Sequence, residues 1–112
     1  MKIRTLLFTL ALCASLPAAA VFEVVSKAHE VSLVDLRLPG STSGTLTFKP
    51  CSECNFETIR VTASTRYEAN NRSLTLEDFR NALGQIRHRR EVTVTVLHHL
   101  ESDTIKAVRV KF

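Results

Sequence analysis

A chain of 112 residues, 45% of them apolar, has room for one domain with a thin core, burying about 60–65% of its unfolded surface. Its 15 Lys and Arg against 11 Asp and Glu give a formal charge of +4, and only 6% of residues are aromatic. That balance argues against a nucleic-acid binder, which concentrates far more positive charge on one face.

The first twenty residues have the pattern of an export signal. Lys2 and Arg4 form a basic start, Leu6 to Ala14 a short apolar run, and Pro17-Ala18-Ala19-Ala20 the small residues a signal peptidase reads. The apolar run is shorter than the roughly 20 residues that span a bilayer, so a permanent transmembrane anchor is not expected. Cys13 lies inside that run behind Leu12, which is the wrong place for lipidation. Cleavage after Ala20 leaves residues 21–112 as a single β-rich domain, periplasmic or secreted. It also removes Lys2 and Arg4, which lowers the formal charge from +4 to +2.

Val21–Val25 reads as a first strand and Glu30–Leu38 as a second. In the second, the apolar phase shifts between Leu33 and Val34, which predicts a bulge or burial on both faces. Pro39-Gly-Ser-Thr-Ser-Gly44 is a loop, and Thr45–Lys49 returns as a strand. Thr58–Tyr67 alternates as the next strand, and Asn70-Asn71 tolerates the positive φ of a tight turn. Thr75 then caps a helix, with Asp78 three residues on and Leu74 able to staple onto Phe79. Phe79, Ala82, Leu83 and Ile86 form its apolar stripe, and Gly84 weakens its second half. Glu91–Leu97 and Ile105–Phe112 complete the chain as a terminal hairpin turning near Glu101–Thr104. The class predicted is α+β: a small, mostly antiparallel sheet of six to seven strands, with one helix before a C-terminal hairpin. Strand–helix–strand alternation is not repeated, so nothing in the pattern calls for parallel pairing.

Cys51 and Cys54 sit at the corner between the strands ending at Lys49 and beginning at Thr58. In an exported chain the pair reads as a structural disulfide. A redox thiol needs a stabilised thiolate, whereas Glu53 lies between the cysteines and strand follows them. A metal carrier would have to recruit His88, His98 or His99. The spacings fit no common zinc pattern, and adjacent strand residues such as His98 and His99 face opposite ways. Gly40–Gly44 has Thr42 at the centre where a nucleophile elbow has serine, and no helix follows it. Glu77 and Asp78 complement a helix N-terminus rather than form an acid–base pair.

Arg87, Arg89 and Arg90, with Arg80 upstream, make the densest basic feature. They read first as cations at a helix C-terminus, and second as a contact for an anionic surface or acidic protein. Asn71-Arg-Ser73 is formally a glycosylation acceptor, but a signal of bacterial type leaves it unmodified. No enzyme activity and no cofactor or metal is expected. The sequence points to a non-enzymatic binding or accessory module of the cell envelope, its partner an envelope protein or anionic surface. A thiol-based redox factor or metal carrier using Cys51 and Cys54 is the alternative.

Overall fold

A computed structural model describes residues 25–112. The expected signal segment, and the expected strand at Val21–Val25 apart from Val25 itself, lie outside these residues. Val25 is exposed and belongs to no strand.

The described chain is mostly β, with one α-helix. Strands β1 (Ser26–Ser32) and β2 (Leu36–Arg37) flank a 3₁₀ turn at Leu33–Asp35. Then follow β3 (Thr45–Phe48), β4 (Glu57–Ala69), β5 (Arg72–Leu74) and helix α1 (Leu76–Gly84). Strands β6 (Thr93–His99) and β7 (Thr104–Val110) end the domain as an antiparallel hairpin. Among the described residues, no helix is long and apolar enough to cross a membrane.

The sheet runs in the order β1-β6-β7-β4-β3-β2, with β5 hairpinned onto β4. All pairings are antiparallel except β4 with β7, which is parallel. The sheet is therefore mixed: mostly antiparallel, as expected, with one parallel pairing at its centre. The order of strands in the chain does not reveal this pairing, because β5, α1 and β6 all intervene.

The phase shift at Leu33–Val34 is a 3₁₀ turn, not a bulge in a continuous strand. Residues three apart eclipse in a 3₁₀ helix. Leu33 and Leu36 thus both enter the core, while Val34 is 50% exposed. The turn is tied down by the Leu33 N–H donating to the Val92 carbonyl at 3.0 Å.

Local chemistry explains the other elements. Asn70 and Asn71 take φ of 51° and 67°, the two left-handed positions that a two-residue hairpin of this twist demands. Thr75 caps α1, its Oγ1 accepting from the Asp78 N–H at 3.2 Å. The helix buries Leu76, Phe79 and Leu83 and ends at Gly84. Ile86, expected on the same stripe, is buried just beyond the helix end. Phe79 packs against Tyr67 with ring centres 5.4 Å apart and planes tilted by 42°, joining the helix to β4.

Two polar residues are buried, Thr65 and His29, and His29 lies against an aromatic ring of the core. His29 is 8% exposed, 5.2 Å from the Phe48 ring and 6.4 Å from His98, and its Nε2 has no hydrogen-bond partner among the described residues. Burial pushes its pKa below the usual 6.5, helped by Lys27 and His98 and opposed by Glu57. A histidine whose folded pKa is depressed binds fewer protons than it does unfolded. Its contribution to stability is complete above the unfolded pKa and is lost as pH falls from there through the folded value. Urea midpoints should therefore drop as pH is lowered from about 6.5, the unfolded histidine pKa. His29→Gln should flatten that slope while leaving the loss caused by carboxylate protonation at lower pH. Equal slopes for the two proteins would refute the assignment.

Candidate functional site

Three features bring chemistry-bearing residues together: the cysteine corner, the outer face of β3 and β4, and a cleft beside α1. The corner is simplest. Cys51 and Cys54 are disulfide-bonded with Cα atoms 5.0 Å apart, and the Cys54 N–H donates to the Cys51 carbonyl at 3.1 Å. The bridge staples a turn that is already closed by a backbone bond. No helix begins at Cys51, so the pair lacks the helix N-terminus that usually stabilises a thiolate. The histidines weighed as metal partners are dispersed and engaged elsewhere. His98 Nε2 donates to Asp103 at 2.7 Å, and His88 lies beyond α1 at the start of a second 3₁₀ turn.

His99 faces outward, as strand alternation requires. The Ser102 N–H reaches His99 Nδ1 at 3.3 Å, which makes Nδ1 an acceptor. The Ser102 hydroxyl, 2.8 Å from Nδ1, therefore donates to it and accepts from Thr104 at 2.7 Å. That chain of hydroxyls leads onto the face of the sheet.

There the strand register aligns two rows of polar side chains. One places Arg37, Thr47 and Thr58 side by side across β2, β3 and β4. The other places Thr45, Arg60, Thr104 and His99 across β3, β4, β7 and β6. Thr47 and Thr58 share a hydroxyl hydrogen bond of 3.0 Å. Neither row contains a carboxylate. Beside them stands Phe56, 43% exposed, with the Arg37 guanidinium and the Lys49 ammonium each 4.9 Å from its ring centre. The disulfide turn lies just before Phe56 in the chain, so the staple steadies the approach to this ring.

The basic run separates into distinct jobs. It lies past the end of α1 rather than in its last turn. Arg89 alone reaches back to the helix, its Nη1 donating to the Leu83 carbonyl at 2.8 Å. Arg87 and Arg90 are exposed and border a cavity of about 360 Å³ with Val34 and Glu91. Arg89 also lines an adjoining recess of about 310 Å³ together with Arg80, which donates to the Pro39 carbonyl. The expectation of helix-end cations thus applies to Arg89 and not to its neighbours.

Sequence reasoning did not single out the threonine rows or Phe56. The alternation of Thr58, Arg60 and Thr62 with apolar residues was the available signal for the outer face. Its continuation across the sheet depends on register. Comparison with known families, curated proteins and solved structures gave no match.

Because the disulfide closes a loop of only four residues, chain entropy assigns it about 2 kcal/mol. A Cys51→Ser/Cys54→Ser protein should therefore still fold, with its urea midpoint lowered accordingly. Thiol titration of the native protein should find no free sulfhydryl at these positions. Free thiols there, or a reduced cysteine titrating well below pH 7, would overturn the structural reading and promote the redox alternative.

Proposed function

We propose that the chain is an exported, non-enzymatic binding module that holds an extended acidic glycan across the outer face of β3 and β4. The observation carrying this reading is the pair of hydroxyl-and-arginine rows, free of carboxylates and flanked by Phe56. Threonine hydroxyls both donate and accept, which suits sugar hydroxyls, while guanidinium groups suit carboxylates.

The topology supports the same surface. With β1 and β2 taken as one interrupted strand, the order matches the five-stranded Greek-key barrel of the OB type, with a helix between its third and fourth strands. In that barrel the face of the second and third strands, with two flanking loops, binds oligonucleotides and oligosaccharides. Those strands are β3 and β4 here. The link is one of fold, and the residues on the face decide the ligand. A formal charge of +2 after export favours a glycan over a nucleic acid. The arginine run at Arg87, Arg89 and Arg90 lies outside this face and is a separate anionic contact.

Export is tested by N-terminal sequencing of the protein recovered outside the cytoplasm, which should begin at Val21. Retention of Met1 in the cytoplasm would remove the compartment on which the choice of glycan rests. Binding is tested on immobilised alginate, with neutral dextran as control. The protein should be retained on alginate alone and released by salt, since exposed charge pairs are screened within about 10 Å at 0.1 M. Arg37→Glu and Arg60→Glu should each weaken retention severalfold without moving the unfolding midpoint. Unchanged retention in both variants would refute this face as the site.

A further inference from the structure

Strand β1 is an outer member of the sheet and pairs with β6 alone. Beyond its two ends, the Leu33 N–H donates to the Val92 carbonyl and the Leu100 N–H to the Val25 carbonyl, each at 3.0 Å. Both bonds continue the β1–β6 register, in which Lys27, His29 and Val31 face His98, Val96 and Val94. In an antiparallel ladder, residues that exchange hydrogen bonds alternate with residues that do not. The odd-numbered residues of β1 therefore bond to β6. The N–H and C=O groups of Ser26, Ala28, Glu30 and Ser32 point the other way, where no described backbone group meets them. Ala28 and Glu30 are exposed, and neither a proline nor a bulge guards this edge.

We propose that this edge pairs with the same edge of a second copy of the chain, in an antiparallel two-fold dimer centred on Ala28. Parity requires even-numbered residues to meet even-numbered ones, and a two-fold axis at Ala28 satisfies it. Ala28 then faces its counterpart and Ser26 faces the second copy's Glu30, each pair exchanging both main-chain bonds. The side chains suit this register. Ala28 is the smallest residue of the strand and lies on the axis. The Ser26 hydroxyl can donate to the carboxylate of Glu30. Lys27 falls opposite His29, which burial keeps neutral at pH 7. Val25, 48% exposed, falls opposite Val31 and gains an apolar neighbour. No two like charges lie directly across from one another. Parallel in-register stacking would instead set Lys27 on Lys27 and Glu30 on Glu30, which disfavours a growing fibril. The two-fold pair occupies the edge of each copy, so assembly closes at two. No residue of the β3–β4 face takes part, and failure of either reading leaves the other standing.

Sedimentation equilibrium of the purified protein should show a mass rising from one chain toward two, and no further, as concentration approaches about 1 mM. Ala28→Pro removes an N–H that points away from β6, and proline is tolerated on an edge strand in that orientation. It should keep the urea midpoint and weaken dimerisation severalfold. Ala28→Cys gives an independent readout, because opposed residues of a hydrogen-bonded pair have Cα atoms about 5.5 Å apart, within reach of a disulfide. Under mild oxidation it should form covalent dimers severalfold faster than Glu30→Cys, whose two counterparts lie on opposite sides of the axis. A protein that stays a single chain at about 1 mM would overturn the proposal and leave the edge to an extended segment of another protein. A folded Ala28→Pro protein that dimerises normally would also overturn it, as would equal crosslinking by the two cysteine variants.

Discussion

The structure depends on a single stretch, Ser26–Arg37, pairing with two strands that lie at opposite ends of the sheet. Its first half bonds to β6 and its last two residues to β3, so the sheet must curl for both to be satisfied. The 3₁₀ turn at Leu33–Asp35 makes this possible. It redirects the chain without sending Leu33 or Leu36 to solvent, since both land inside. A flat sheet would leave two long unpaired edges, which are sites for unwanted strand addition. Here the two halves of one segment form the outer members of the sheet.

The parallel pairing of β4 with β7 imposes a second strain, which side chains absorb. The register jumps between Val61 and Arg66 on β4, opposite Ile105 and Ala107 on β7. The extra residues would leave backbone groups unpaired inside a sheet, and such groups are costly when buried. Thr65 resolves this twice: its Oγ1 accepts from the Thr62 N–H at 3.0 Å, and its hydroxyl donates to the Ile105 carbonyl at 2.6 Å. Thr62 in turn accepts from the Ser64 N–H at 3.1 Å. The bulge therefore bends β4 sharply, which lets its first half serve β3 and its last three residues serve β5.

What was legible in the sequence was local. The Thr75 cap, the Asn70-Asn71 turn, the cysteine corner and the terminal hairpin each follow from residues within a few positions of one another. Leu33–Val34 was legible only as a disturbance, because an apolar pair out of phase fits a bulge, a buried strand or a 3₁₀ turn alike. The β4–β7 pairing was not legible, since register across an intervening hairpin, helix and strand leaves no periodic trace. The same reason hid the candidate surfaces. Arg37 and Thr47 are ten residues apart in the chain, and Arg60 and Thr104 far more, yet each pair is adjacent in the sheet. Arg80 and Arg89 belong to separate elements, and only the packing of α1 brings them to one recess.

Arginine is treated alike on the β3–β4 face and beside α1. A surface guanidinium paired with a carboxylate is largely neutralised as seen by a third group, and such exposed pairs contribute little stability in any case. Arg109 is held that way, by Glu68 at 3.0 Å. Arg80 and Arg89 are held instead by backbone carbonyls, and Arg37 by the face of Phe56. Carbonyls and aromatic rings orient a cation without cancelling its formal charge. The side chain loses conformational freedom during folding rather than on ligand binding, while its field stays available. A domain of modest net charge can in this way keep uncancelled guanidinium groups at chosen places. On the proposed reading, arrangement rather than the amount of charge selects an anionic ligand.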